Sequence, residues 1–234
     1  MEVAFATDKD GLLLDLGSTE SQCQTQTAAI WRTTDGAGTW QRLAASGIAD
    51  AMCKGSLALA DPTHAFFRTY GPNAGSLIYR TADGGASWTA SSPFPIPPNF
   101  ASHGALFVPI TGRPRGFGSV VLVDGRAGQT KDVFRSTDGG ATFTYASTVA
   151  ADGSVAYVTA TRWLDFAPPN LSTETTDGGA IWHAYTTDYS QAAPIAPDVV
   201  FGDAAVGYAT VRGSIQRTTD GGAHWTAIKT PGTG

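Results

Sequence analysis

The sequence predicts an all-β protein, a five-bladed β-propeller whose blades are four-stranded and antiparallel. The main observation is one octapeptide that occurs five times, as T-T-D-G-A-G-T-W, T-A-D-G-G-A-S-W, S-T-D-G-G-A-T-F, T-T-D-G-G-A-I-W and T-T-D-G-G-A-H-W. Successive aspartates of these copies are 48, 55, 39 and 43 residues apart. A period of about 40–50 residues is typical of propeller blades. The 28 glycines and 13 prolines indicate the many turns that such a fold requires.

Runs of apolar and β-branched residues, separated by Gly, Asp and Asn, divide each repeat into four short strands. Blade five is the clearest, with strands expected at 198–202, 207–211, 215–218 and 224–228. The first two strands of the other blades are expected at 3–6 and 12–14, 57–60 and 65–67, 105–108 and 120–123, and 155–158 and 163–166. The blades then cover approximately 1–45, 46–95, 96–148, 149–190 and 191–234, as one domain.

The octapeptide is expected to form the hairpin between the third and fourth strands, and to have a structural role. Glycines permit positive φ there, and the aspartate can accept hydrogen bonds from the backbone of the hairpin. The closing aromatic ring can pack against a blade. These residues are Asp35 and Trp40, Asp83 and Trp88, Asp138 and Phe143, Asp177 and Trp182, and Asp220 and Trp225. A calcium loop is the alternative, but one carboxylate per turn is too few for 6–8 oxygen ligands. We predict no metal and no cofactor.

The octapeptide resembles the Asp-box, S/T-x-D-x-G-x-T-W/F, of bacterial sialidases, sortilin-type receptors, xyloglucan-cleaving glycosidases and photosystem II stability factors. This resemblance implies a β-propeller across the whole chain. Copies one, two, three and five are preceded by an arginine: Arg32, Arg80, Arg135 and Arg217. Copy four has Glu174 there and Ile181 in the threonine slot, and copy five has His224 in that slot. We expect these last two hairpins to be looser.

Strand alternation assigns the long connections, 17–29, 44–55, 91–104, 124–131 and 186–197, to the face opposite the octapeptides. Function usually resides on such loops. Cys23 and Cys53 fall in the first two of them, which favours a disulfide over two unpaired thiols. A disulfide in turn indicates an oxidising compartment, so we expect a secreted, periplasmic or cell-surface protein. The proline-rich segment 93–100 is either a linker between blades or an exposed contact for a partner.

Candidate ligand-binding residues lie on the same face. They are Arg68, Tyr70, Arg126, Asp165, Tyr189 and Arg212. Three convergent arginines resemble the carboxylate-binding set of sialidases, since a guanidinium pairs bidentately with a carboxylate. The chain lacks the F/Y-R-I-P segment of that family, and sialidases have six blades.

The formal net charge of −5, with no basic cluster, excludes nucleic acid and anionic membranes as expected partners. No apolar run approaches the ~20 residues of a membrane helix. We therefore expect a non-enzymatic recognition or scaffold propeller that binds a protein or a carbohydrate through its long-loop face. The alternative is a sialidase-like glycoside hydrolase, because propellers host both functions.

Overall fold

The structure, a computed structural model, describes residues 1–71, 75–98, 107–127, 130–150, 154–167, 171–189, 198–211 and 214–229. Within these residues, twenty strands form five four-stranded antiparallel sheets. The predicted all-β, five-bladed β-propeller fold is confirmed. In the part of the chain described, no helix has the length and hydropathy needed to cross a membrane.

Each sheet is one blade, and in every blade the strands are hydrogen-bonded in chain order. Blade 1 contains β1 (Glu2–Phe5), β2 (Gly11–Leu16), β3 (Ala28–Thr33) and β4 (Gln41–Arg42). Blade 2 contains β5 (Cys53–Leu59), β6 (Ala65–Gly71), β7 (Gly75–Thr81) and β8 (Thr89–Ala90). Blade 3 contains β9 (Arg115–Phe117), β10 (Val120–Ala127), β11 (Thr130–Ser136) and β12 (Thr144–Ala150). Blade 4 contains β13 (Ser154–Tyr157), β14 (Trp163–Phe166), β15 (Thr173–Thr175) and β16 (His183–Ala184). Blade 5 contains β17 (Asp198–Phe201), β18 (Gly207–Val211), β19 (Ser214–Thr218) and β20 (Thr226–Ile228).

The first strand of blade 3 differs from the prediction. A strand was expected at 105–108, but β9 lies at Arg115–Phe117 and pairs with β10 through a tight turn at Gly118, where φ is +61°. Residues 105 and 106 lie outside the described part of the chain. Val108 and Ile110 are nevertheless buried in the core, with 2% and 1% exposure. These residues are apolar because they pack into the core, although the segment that holds them is not one of the four strands of the blade.

The chain divides into two compact units. The first comprises 1–127 and 132–145, which hold blades 1 and 2 and most of blade 3. Consecutive side chains of β6 point to opposite sides of blade 2: Phe66 joins a cluster with Val121 and Phe134 of blade 3, and Phe67 joins one with Leu12 of blade 1. Burying each ring contributes roughly 1.5–3 kcal/mol to stability. One strand thus provides core to both of its neighbours.

The second unit comprises 128–131 and 146–234, which hold blades 4 and 5. Its core is an aromatic cluster in which Phe166 of β14 packs against Tyr189, Phe201 and Trp225. The edge-to-face geometry of Phe166 and Trp225, with centroids 5.7 Å apart, is one that aromatic pairs prefer.

Candidate functional site

Each octapeptide forms the turn between the third and fourth strands of its blade, and the blade 2 copy illustrates its bonding. Asp83 Oδ1 accepts from the Thr81 hydroxyl at 2.7 Å and from the Ser87 backbone N–H at 2.9 Å. The Thr81 hydroxyl oxygen accepts in turn from the Gly85 backbone N–H at 3.0 Å. The Ser87 hydroxyl donates to Asp83 Oδ2, and it is the main reason that the pKa of Asp83 is lowered to about 2. The carboxylate is therefore satisfied within its own hairpin.

The same hydrogen bonds occur in the other copies, with one variation at the threonine slot. Ile181 keeps the backbone N–H bond to Asp177 at 3.0 Å but has no side-chain donor. His224 Nδ1 lies 2.6 Å from Asp220 Oδ2, where it must donate because an ionised carboxylate only accepts. This bond raises the pKa of His224. The histidine thus replaces the hydroxyl in blade 5, whereas in blade 4 the side-chain bond is missing.

A second recurring bond joins the octapeptide to the first turn of its own blade. The backbone N–H of the glycine after each aspartate donates to a carbonyl between the first and second strands. The pairs are Gly36 to Lys9 at 3.0 Å, Gly84 to Thr63 at 2.9 Å, Gly139 to Ser119 at 2.8 Å, Gly178 to Thr161 at 2.9 Å and Gly221 to Ala205 at 2.8 Å. The first and last turns of each blade therefore lie side by side, and the remaining connections leave from the opposite end of the strands.

Two of the predicted ligand-binding residues contact each other on β6. Arg68 Nε donates to Ser56 Oγ at 2.8 Å, and Arg68 Nη1 donates to the Ile110 carbonyl at 3.0 Å. The guanidinium carbon lies 5.2 Å from the centre of the Tyr70 ring. Tyr70 is 44% exposed, whereas Arg68 is half-buried. The structure thus fixes a cation against an exposed aromatic ring.

A β-bulge in β5 positions the group that holds Arg68. The pairing of β5 with β6 shifts between Gly55 and Ala58, and Ser56 has a φ of +61°. The Glu2 carboxylate accepts from the backbone N–H groups of Ser56 at 3.0 Å and Leu57 at 2.7 Å. Sequence analysis did not identify Glu2, because it lies 54 residues before the bulge and no local pattern links the two.

The charge environment of Arg68 is set by burial and by acidic neighbours. Burial lowers the pKa of Arg68, while Tyr70, Glu2 and Asp124 oppose this effect by favouring the charged form. Arginine remains protonated in proteins. The site therefore presents a permanent positive charge that is partly screened from water.

The other four candidate residues have different settings. Arg126 is exposed near the end of β10, and its backbone N–H donates to the Pro109 carbonyl at 3.2 Å. Asp165 is buried in β14, with 4% exposure. Tyr189, expected on the surface, is also 4% exposed and packs between Phe166 and Trp225, and burial raises its pKa to about 12. Its environment is that of a core residue. Arg212 lies outside the described residues.

The predicted disulfide is confirmed. Cys23 ends a short 3₁₀ helix (Glu20–Cys23) and bonds to Cys53, with their Cα atoms 4.9 Å apart. Cys53 begins β5 and does not lie in a loop as expected. Next to it, the buried Lys54 Nζ donates to the Gln26 carbonyl at 2.6 Å, and its burial lowers its pKa. The covalent and polar links together attach the connection between β2 and β3 to blade 2.

The five four-stranded sheets, each with its octapeptide hairpin, place this protein in the class of five-bladed β-propellers. No protein-family profile matches the chain. It is 27% identical over 161 residues to a xyloglucanase of Paenibacillus sp, a match that covers 60% of this chain and 16% of that enzyme. The chain thus spans about a sixth of the length of this curated relative.

Two solved propellers have the same fold. The structure of YCF48 bound to D1 peptide matches 98% of this chain and 68% of its own, with a TM-score of 0.53 and 16% identity. The SapL1 lectin in complex with alpha methyl fucoside matches 99% of this chain and 80% of its own, with a TM-score of 0.57 and 14% identity. At these identities the similarity is one of fold.

Proposed function

We propose that this chain is a non-enzymatic recognition module that binds a protein or glycan ligand at the Arg68–Tyr70 pair. The observation that carries this proposal is the fixed guanidinium beside an exposed ring. The Tyr70 ring offers an apolar surface and a hydroxyl, which suits the face of a sugar or a peptide side chain. Arg68 offers a charge that pairs with a carboxylate, such as that of a peptide or an acidic glycan.

The bonding of the nearest glutamate favours recognition over catalysis. Both carboxylate oxygens of Glu2 already accept backbone hydrogen bonds from the bulge. A general acid or nucleophile needs a carboxyl group that can reach substrate. Glu2 therefore serves to hold Ser56, which in turn holds Arg68.

Other features support the same proposal. Propellers of this fold include one bound to a peptide and one bound to a fucoside, so the architecture accommodates both ligand classes. The Cys23–Cys53 disulfide supports a secreted, periplasmic or cell-surface location, since disulfides persist in oxidising compartments. We further propose that the octapeptides are Asp-boxes with a structural role, because their carboxylates are engaged inside their own hairpins.

Binding to a glycan array and capture of proteins from the native host would test the proposal. We expect Tyr70→Ala and Arg68→Lys to weaken binding of a captured ligand at least about tenfold, which corresponds to 1.4 kcal/mol. Tyr145→Ala is the matched control, because Tyr145 is 38% exposed in blade 3. Binding that survives both β6 substitutions would refute a site at this pair.

A glycoside hydrolase is the second candidate, and the similarity to the Paenibacillus xyloglucanase is the observation that favours it. Asp124, whose charge acts on Arg68, is the carboxylate to test. Release of reducing sugar from xyloglucan or of a fluorophore from a sialoside, abolished by Asp124→Asn in a folded protein, would replace the recognition proposal. No turnover on either substrate is the result we expect.

A further inference from the structure

A second exposed aromatic ring lies close to Tyr70, on the segment that leads into blade 3. Phe107 is 37% exposed, similar to Tyr70 at 44%. Tyr70 pairs with Ser76 across the β6–β7 hairpin, and Gly75 is the neighbour of Ser76 on the turn side. A Cβ atom added to Gly75 would lie 2.9 Å from the Phe107 Cβ. Phe107 therefore packs against the end of the hairpin that carries Tyr70.

The segment that carries Phe107 is held on β6 and β7 by hydrogen bonds. The Ile110 backbone N–H donates to Ser76 Oγ at 3.0 Å, and the Ile110 carbonyl accepts from Arg68 Nη1 at 3.0 Å. Gly75, with a φ of +68°, leaves the space that the Phe107 side chain occupies beside the hairpin. The two exposed rings and the guanidinium thus belong to one preformed site, which lies within the first unit.

The Arg68 guanidinium supplies hydrogen-bond donors to this site. A guanidinium has five N–H donors, and in the part of the chain that the structure describes its hydrogen bonds use two of them, to Ser56 and to Ile110. Because these two bonds fix the group, its other N–H donors are already oriented before a ligand arrives. The Tyr70 hydroxyl adds a group that both donates and accepts. The site therefore offers fixed polar groups beside two apolar ring surfaces.

The charges around Arg68 favour a neutral ligand over an acidic one. Glu2 Oε1 would lie 3.0 Å from a Cβ on Gly55, which is the cross-strand partner of Arg68. Asp124 adjoins the residue that bridges to Ile110, and its charge also acts on Arg68. Two acidic side chains thus accompany one guanidinium. The site has no excess of positive charge with which to attract a carboxylate or a sulfate, whereas the hydroxyl groups of a neutral ligand need none.

The position of the site within blade 2 favours a glycan over a peptide. Extended peptides commonly bind by adding a strand to the free edge of a sheet. The strand that carries Arg68 and Tyr70 is β6, which is hydrogen-bonded to β5 on one side and to β7 on the other, so it offers no such edge. An exposed aromatic ring offers an apolar surface for the C–H face of a sugar ring, while fixed donors bind the sugar hydroxyls.

Given the recognition function proposed above, on which this step rests, we infer that the site binds a neutral oligosaccharide that contacts both Tyr70 and Phe107. Arg68 donates to hydroxyl oxygens of the sugar that stacks on Tyr70. A further sugar unit of the same chain stacks on Phe107. Phe107 is then a specificity-determining residue, because it rewards a ligand of two or more sugar units over a monosaccharide. Sequence analysis did not identify it.

The first test is an array that carries neutral glycans (glucans, mannans, xylans, galactosides and fucosides) and acidic ones (sialosides, uronates and sulfated glycans). We expect the wild type to bind neutral oligosaccharides. Preferential binding of acidic glycans would overturn the inference and leave the recognition function standing. The same holds if the array stays empty while a host protein is captured through Tyr70. If neither a glycan nor a protein binds, the proposed function fails as well.

The second test uses calorimetry with a neutral oligosaccharide that the array identifies and with its monosaccharide. Phe107→Ala should weaken oligosaccharide binding about fivefold and leave monosaccharide binding nearly unchanged. Phe107→Leu, which keeps apolar bulk at the hairpin, should show the same loss, and Phe107→Trp should restore binding. Tyr145→Ala is the matched control, because Tyr145 is 38% exposed in blade 3. Full oligosaccharide affinity in both Phe107→Ala and Phe107→Leu would overturn the role of Phe107.

The third test examines the charge of the ligand through the dependence of binding on salt. Salt screens attraction between charges but has little effect on the binding of a neutral group. Raising the sodium chloride concentration from about 0.05 to about 0.5 M should therefore change the affinity for the oligosaccharide by less than about twofold. A tenfold loss over this range would show that an anionic group is being bound, which contradicts a neutral ligand.

Discussion

The packing of the blade 2 hairpin gives a quantitative prediction for Gly85→Ala. Gly85 has a φ of +97°, and an added Cβ would lie 3.2 Å from both Ile30 and Leu43. The left-handed conformation costs an alanine roughly 1–2 kcal/mol. Forcing an extra methyl group into the filled contact between the blade 2 hairpin and blade 1 costs roughly 1–3 kcal/mol more. We therefore expect the free energy of unfolding to fall by about 2–5 kcal/mol.

Two matched variants separate these contributions. Gly139 has a φ of +70° with nothing within 4 Å of the added Cβ, so Gly139→Ala should lose only about 1–2 kcal/mol. Ala37→Gly relieves the same backbone strain in blade 1 and should gain about 1 kcal/mol. Urea denaturation followed by tryptophan fluorescence measures all three, since Trp88 is buried and donates to the Gly85 carbonyl. If Gly85→Ala and Gly139→Ala lower the free energy of unfolding equally, Gly85 does not pack tightly against blade 1 and the reasoning is refuted.

Four further predictions concern the disulfide, the aspartate of the blade 2 hairpin, the histidine of the blade 5 hairpin and the blade 4 arginine. Reduction of the disulfide, whose cysteines are 30 residues apart, should lower the free energy of unfolding by about 3–4 kcal/mol in urea titrations with and without reductant. Because the pKa of Asp83 is lowered to about 2, the ionised carboxylate stabilises the folded protein above pH ~4, and this stabilisation is lost as the pH falls towards 2. Asp83→Asn should therefore make the urea midpoint less dependent on pH in this range. The pKa of His224 is raised from its ordinary value of 6.5, so the stability that its bond to Asp220 contributes is fully present below pH 6.5 and is lost as the pH rises through the folded-state pKa. An NMR titration of Asp220→Asn should show a lower pKa for His224. Arg162→Met should cost about 1–2 kcal/mol, since it removes charged hydrogen bonds to the Ala204 and Gly221 carbonyls of blade 5. An unchanged thermal unfolding temperature would contradict this role.

The sequence predicted those parts of the fold that local chemistry determines. Each octapeptide contains its own donors, acceptor and glycines, so its hairpin could be recognised without knowing the tertiary structure. Arg68 and Tyr70 are two residues apart on one strand, and strand alternation places both on the same side. This pairing could therefore be anticipated, although the cation–ring contact itself could not.

The features that the sequence did not predict arise from contacts between residues that are far apart in the chain. Glu2 reaches a bulge 54 residues later, and nothing near either segment indicates the bond. The place of Tyr189 in a long connection predicts a surface position, but its ring packs into the aromatic core of the second unit. Val108 and Ile110 have the composition of a strand, but they fill a core without pairing as one of the four strands of the blade. Composition alone cannot distinguish these two outcomes.

The bond between the first turn and the octapeptide of each blade has a consequence for protein engineering. The two turns at that end are hydrogen-bonded to each other, so an insertion in either one would break the amide–carbonyl bond between them. The connection from β2 to β3, which spans 17–27, leaves from the other end of the strands, where Cys23 and Gln26 link it to blade 2. Foreign peptides grafted at the exposed Ser18 and Thr19, before the segment that the disulfide and Gln26 anchor, should be displayed without disturbing the octapeptide hairpins.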